Sequence, residues 1–138
     1  MAETVPAWTA GYVGLPFRAY GRDRTGLDCW GLCRLVLAER FGREIPAHDD
    51  IGFERACDRA ALAAFMEQHK TNWNEVPAKL ERPGDVLLLR MMGHPIHVAV
   101  VVGKGWMLHI EDGIDACLER YDGAKWSRRV VGFYRHAG

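Results

Sequence analysis

Hydrophobic positions along this chain follow two different periods, and the change comes near the middle. Apolar residues recur at Cys29, Leu32, Cys33, Val36, Leu37 and Phe41, the spacing of one face of an α-helix. Asp28 stands just before that run as a competent N-cap, its carboxylate able to accept backbone N–H bonds. Gly42 follows where a left-handed C′ residue belongs. A second helix is expected at about 53–69, with Phe53, Cys57, Ala60, Ala61, Ala64 and Phe65 on one face. After Trp73 the pattern changes. Arg82-Pro83-Gly84-Asp85 is a turn signal, and Val86 to Met91 reads as a buried strand. Ile96 to Val102 is β-branched and reads as another strand. Gly103-Lys104-Gly105 turns the chain, and Trp106 to Ile110 is the return strand. Two shorter strands are expected near 115–120 and 130–135. Residues 1–27, rich in Gly, Pro and aromatics, read as irregular or briefly helical. The whole predicts an α+β fold, with helices packed on an antiparallel meander.

Composition narrows the class. A chain of 138 residues is expected to form one domain, 1–138, with a single core. Its 49% apolar and 26% charged residues are those of a globular protein rather than a disordered one. Lys plus Arg is 18 and Asp plus Glu is 18, so the bulk basic field of a nucleic-acid binder is missing and no such partner is expected. The apolar runs fall far short of the ~20 residues of a membrane span, so no membrane partner is expected either. Met1 to Tyr20 shows no basic segment followed by an apolar run, which predicts synthesis in the cytoplasm without a signal peptide. The four cysteines, Cys29, Cys33, Cys57 and Cys117, are then expected as free thiols. The spacing of Cys29 and Cys33 is neither that of a zinc ribbon nor of a redox pair.

Three residues stand apart as candidate chemistry. Cys29 sits in the first turn of the predicted helix, where the dipole favours a thiolate and unpaired N–H groups can stabilise an oxyanion. Cys33, one turn along, lacks such donors and is expected to be inert. If Gly103-Lys104-Gly105 is a three-residue loop, Val102 faces Trp106 and Ala99 faces His109. His97 and His109 then share a face as diagonal neighbours, with Cα atoms ~7–8 Å apart. His109 can in that case hold the His97 ring in one tautomer, as the third member of a triad does. A two-residue loop puts them on opposite faces. The residues alone leave the ordinary alternative open, since a cysteine at a helix start and a histidine on a strand commonly serve the core. A zinc set of His94, His97 and His109 matches known spacings poorly, and no metal is expected. His48, His69 and His136 read as solvated. Trp30, Trp73, Trp106 and Trp126 read as core or groove lining.

These motifs resemble the NlpC-type cell-wall cysteine peptidases, especially forms carried by tailed bacteriophages, prophages and gene transfer agents. The resemblance begins at Gly14-Leu15-Pro16-Phe17 and runs through Asp28-Cys29-Trp30-Gly31-Leu32 and Arg82-Pro83-Gly84-Asp85-Val86. It continues through Ile96-His97-Val98-Ala99-Val100-Val101-Val102-Gly103, Met107-Leu108-His109-Ile110 and Val130-Val131-Gly132-Phe133-Tyr134-Arg135. It implies a papain-like fold and a Cys29–His97–His109 triad. It also implies hydrolysis of peptidoglycan stem peptides, often between D-γ-glutamyl and a diamino acid, with no metal or organic cofactor. Asp28 is then the residue that holds a substrate amine. Trp30 stands where many members have Ser, and Phe17 where many have Tyr, which makes Trp30 a substrate-pocket residue and Tyr20 the candidate replacement phenol. The same resemblance implies carriage in a phage tail or tail-like particle to the wall. A rival expectation is a structural part of a phage tail tip, docking tail proteins through Trp8, Trp30, Trp73 and Trp126. Acyltransfer on this fold is disfavoured, because Cys precedes His here and the permuted relatives reverse that order.

Overall fold

The computed structural model describes residues 5–45, 73–91, 94–111 and 113–136, without the side chains of 91 and 94–96. The helix expected at about 53–69 lies outside these residues, as do Cys57, His48 and His69. The first helical run forms α1 (Cys29–Phe41). Asp28 caps it, Oδ1 accepting the Gly31 N–H at 2.8 Å, and Gly42 closes it in the left-handed region at φ 64°. A side chain at Gly31 would collide with the Gly21 carbonyl oxygen. Its absence lets a short hairpin, β1 (Arg22–Asp23) and β2 (Gly26–Leu27), lie against the helix start.

The remaining strands are β3 (Trp73–Val76), β4 (Val86–Met91), β5 (His94–Gly103), β6 (Trp106–Glu111), β7 (Ile114–Arg120) and β8 (Val130–His136). They form one antiparallel sheet in the order β3-β8-β4-β5-β6-β7. Strands β4 to β7 are the expected meander. The final strand departs from it, crossing back to the free side of β4, and β3 adds beyond it. A partly buried ion pair ties the returning strand to the turn before β4. Arg135 Nε and Nη2 donate to the two oxygens of Asp85 at 2.7 and 2.8 Å, and Asp85 is 1% exposed. Any other placement of β8 leaves that carboxylate buried without its cation. Strand β3 has little apolar pattern to reveal it, since of its four residues Val76 alone is buried.

Helix α1 packs on β5 and β6. Val98, Val100 and Val102 join Leu32, Val36 and Leu37 in that layer. Ala99 and Val101 face the other way, into a second core with Leu87, Leu89, Met107, Tyr121, Trp126 and Phe133. Burial on both faces explains why this strand reads as a continuous apolar run rather than an alternation. The irregular N-terminal segment covers the sheet edge: Gly14 N–H donates to Ala116 O at 2.8 Å, and Ala116 N–H donates to Leu15 O at 2.9 Å. Among the described residues no helix is long and apolar enough to cross a membrane.

Candidate active site

The β5–β6 hairpin sets the two histidines. Its loop is Lys104-Gly105, closed by Gly103 opposite Trp106, one residue shorter than expected. Taken alone, that turn puts the two rings on opposite faces. A register shift between Val101 and Gly103 restores the frame, pairing Val101 with Met107 and Val100 with Leu108. A bulge inserts one extra residue on one strand and so compensates for the shorter loop. The expected shared face is therefore realised by a different turn. His97 Nε2 lies 3.0 Å from His109 Nδ1, with the rings edge to face at 77° and 5.2 Å between centroids.

The chain of contacts continues past His109. Cys117 on β7 pairs directly with His109, and Glu119, two residues on, leaves the strand on the same side. His109 Nε2 donates to Glu119 Oε2 at 2.9 Å. Burial holds the His109 pKa below its ordinary value, against the pull of Glu119, so this bond joins a neutral ring to a carboxylate. Glu119 is held below its usual range, because hydrogen bonds from Trp126 and His109 outweigh the effect of burial. An ionised carboxylate only accepts, so the His109 proton sits on Nε2 and Nδ1 is the acceptor. His97 must then donate from Nε2, which leaves the lone pair on its Nδ1. Trp126 stacks on the His97 ring at 21° and 5.8 Å, while its Nε1 donates to Glu119 Oε1 at 2.8 Å. One tryptophan thus fixes both ends of the relay.

Cys29 opens α1 and is 2% exposed. Its sulfur accepts from the backbone N–H of Val98, the residue after His97, and from that of Trp30. These bonds and Arg22 favour the thiolate, but burial and the neighbouring Asp28 carboxylate outweigh them and push the thiol pKa up. The helix-dipole argument predicted the opposite direction. Burial of His97, reinforced by His109, pushes that imidazole down to about 3. Both groups are therefore neutral at rest. Cys33 is fully buried, and burial also raises its pKa.

The three other site candidates occupy different environments. Asp28 is 0% exposed, and its Oδ1 serves both Gly31 N–H and Arg22 Nη1, the latter at 2.7 Å. Trp30 is buried edge-on against Trp73, with centroids 6.3 Å apart. Tyr20 is exposed and adopts a left-handed φ of 62°. Of the four tryptophans expected on a docking surface, Trp30 and Trp126 are buried, and Trp8 and Trp73 are half-buried against the helix-side core. Sequence reasoning missed Glu119 and the stacking role of Trp126. The signal for Glu119 was an acidic residue alternating with Cys117 on the strand after His109, useful only once the pairing register is known.

Comparison with known proteins identifies the lineage and the fold. A profile described as the NlpC/P60 family matches residues 14–135. Protein P54 of Enterococcus faecium is 29% identical over 98 residues, which cover 71% of this chain and 16% of P54. Murein DD-endopeptidase MepS/Murein LD-carboxypeptidase of Escherichia coli (strain K12) is 22% identical over 120 residues, covering 87% of this chain and 55% of the relative. The chain thus spans about a sixth of the first relative and about half of the second. A solved NlpC/P60 family protein from Bacillus cereus ATCC 10987 superposes with a TM-score of 0.67 at 19% identity, covering 98% of this chain and 42% of that one. The NlpC/p60 domain of peptidoglycan hydrolase SagA gives 0.59 at 22% identity, covering 94% and 92%. At those identities the structural likeness speaks for the fold, and the profile speaks for the lineage: this chain belongs to the NlpC/P60 family of cysteine peptidases.

Proposed function

We propose that this protein is a cysteine endopeptidase that hydrolyses the stem peptides of peptidoglycan, with Cys29 as nucleophile, His97 as general base and His109 as the residue that orients it. The observation that carries the proposal is the directional chain from Glu119 through His109 to His97, at 2.9 and 3.0 Å. It ends one residue from the backbone N–H that meets the Cys29 sulfur. A neutral resting pair makes proton transfer part of the attack. The thiol proton moves to His97 Nδ1 as the sulfur adds to the substrate carbonyl. The imidazolium so formed is stabilised by His109 and, through it, by Glu119. The oxyanion faces the first turn of α1, with the Cys29 N–H as one donor. His97 protonates the leaving amine, then activates the water that cleaves the thioester. None of these steps calls for a metal or organic cofactor.

The substrate class rests on the names of relatives, a murein endopeptidase and a peptidoglycan hydrolase. The bond proposed is that between D-γ-glutamyl and a diamino acid, on the resemblance of the motifs. Asp28, Trp30 and Tyr20 are the proposed substrate contacts. Tyr20 is already exposed, whereas Asp28 reaches an amine only if the Arg22 clamp opens. The resemblance to phage-borne forms supports synthesis in the cytoplasm and delivery to the wall in a tail-like particle, which detection of the chain in purified particles tests.

The deciding experiment digests purified peptidoglycan and weighs the soluble fragments by mass spectrometry. The wild type releases stem-peptide fragments whose masses identify the bond. Cys29→Ala releases none and keeps its melting temperature. Wild-type turnover by that variant removes the nucleophile assignment, and an inert wild type favours a docking role in a tail tip.

A further inference from the structure

The outer nitrogen of His109 lies between two other ligand-bearing side chains. His109 Nε2, Cys117 Sγ and Glu119 Oε2 lie within 4.8 Å of one another. The separations are 2.9 Å between nitrogen and oxygen, 3.8 Å between sulfur and nitrogen, and 3.9 Å between sulfur and oxygen. Zinc bonds of about 2.0–2.1 Å to nitrogen, about 2.0–2.2 Å to oxygen and about 2.3 Å to sulfur give a tetrahedron with edges of about 3.3–3.7 Å. Small side-chain adjustments convert one triangle into the other. An imidazole, a thiol and a carboxylate suit a borderline-soft divalent cation, and the set neutralises it once the thiol ionises. Glu119 is already aimed for single-oxygen ligation. Its Oε1 is held by Trp126 Nε1 at 2.8 Å and Lys125 Nζ at 3.6 Å, which turns Oε2 toward the imidazole. His109 is fully buried, while Cys117 and Glu119 are partly exposed, so the fourth position of a tetrahedron opens toward solvent.

We propose that His109, Cys117 and Glu119 bind a thiophilic divalent cation of the Zn2+ type, and that the bound ion silences hydrolysis by reversing the proton order of the histidine pair. The binding half stands by itself; the silencing half rests on the peptidase assignment above. A metal on His109 Nε2 takes the lone pair there, so the ring proton moves to Nδ1 and is donated to His97 Nε2. His97 must then carry its own proton on Nδ1, the nitrogen that has to accept from Cys29. Cys117 gives up its thiol proton to solvent on ligation, and the two ring protons only change nitrogens, so the exchange balances with one proton released.

Cobalt(II) titrated into the full chain tests the site without reference to activity. The wild type and Cys29→Ala bind one equivalent with a sulfur-to-cobalt charge-transfer band. Cys117→Ala and the size-conserving Cys117→Ser, melting near the wild type, lose the band and at least about tenfold in affinity. A wild type without the band, or a band that survives in both Cys117 variants, overturns the site. Zinc added to the peptidoglycan digest then tests the silencing. The wild type is inhibited and recovers with chelator, whereas Cys117→Ala needs at least about tenfold more zinc for the same inhibition. Equal inhibition of both chains overturns the silencing. A wild type that binds cobalt yet digests nothing in chelator refutes the peptidase assignment and leaves the metal site standing.

Discussion

Strand β5 has two faces with different demands. Toward α1, Val98, Val100 and Val102 are packed among Leu32, Val36, Leu37 and Leu108, and hydrocarbon of the right volume satisfies that layer. On the opposite face, Ala99 and Val101 share their layer with Trp126 and Tyr121, and His97 stacks on Trp126 and bonds His109. Buried polar groups there need specific partners, because each unsatisfied one costs about 1–3 kcal/mol. Apart from Cys29, which lies in the helix-side cluster, the first face tolerates exchange among apolar residues, while the second depends on individual atoms. The β5–β6 ladder carries both faces. Among the described residues its pairing runs to Val100 and Leu108, and past that point the His97–His109 contact at 3.0 Å joins the two strands.

Substitutions on the two faces should separate activity from stability. The largest effect is expected from His97→Ala, which lowers kcat about 10²- to 10⁴-fold while the protein stays folded, as fragment release and thermal melting together show. Retained turnover would erase the distinction between the faces. Leu108→Ala, on the helix side, is expected to cost about 2–5 kcal/mol of unfolding free energy in urea titration, with kcat per folded molecule unchanged. A loss of kcat in that variant would mean that the helix layer also tunes the site.

Acidification probes the polar face through His97. His97 titrates near 6.5 when unfolded, and burial, with His109, holds it down to about 3 in the fold. Between those values the unfolded chain binds a proton that the folded chain refuses. The contribution is therefore complete above about pH 6.5 and is lost progressively as pH falls toward about 3, on the order of a few kcal/mol. Urea midpoints measured across that range should slope downward with acid, and His97→Gln should make the slope shallower by the share His97 contributes. The smallest change is expected from Glu119→Gln, which keeps the shape but no longer enforces the His109 tautomer. It should lower kcat about 10- to 100-fold with little change in melting. A variant as active as the wild type would confine the relay to the two histidines.

The family resemblance and the local chemistry led to the same three residues by different routes, and they differ in what they missed. Motif order pointed to Cys29, His97 and His109 without reference to the turn. The strand argument needed a loop length, assumed three residues, and reached the correct face because a bulge offset a shorter turn. Neither route reached Glu119 or Trp126, whose roles arise from pairing between β6 and β7 and from the turn after β7.

The sequence by itself determined α1, from Asp28 to Gly42, because caps and helical periodicity act within a few residues of each other. It also determined the strands β4 to β8 as elements, since each carries its own apolar signal. Tertiary structure alone decided where β8 pairs, where an ion pair joins residues fifty positions apart, and which side chains complete the histidine relay, ten and twelve positions apart. It also reversed the expected ionisation of Cys29. A helix dipole is written into local sequence, but desolvation depends on everything the fold packs around the sulfur, and at this site burial is the larger effect.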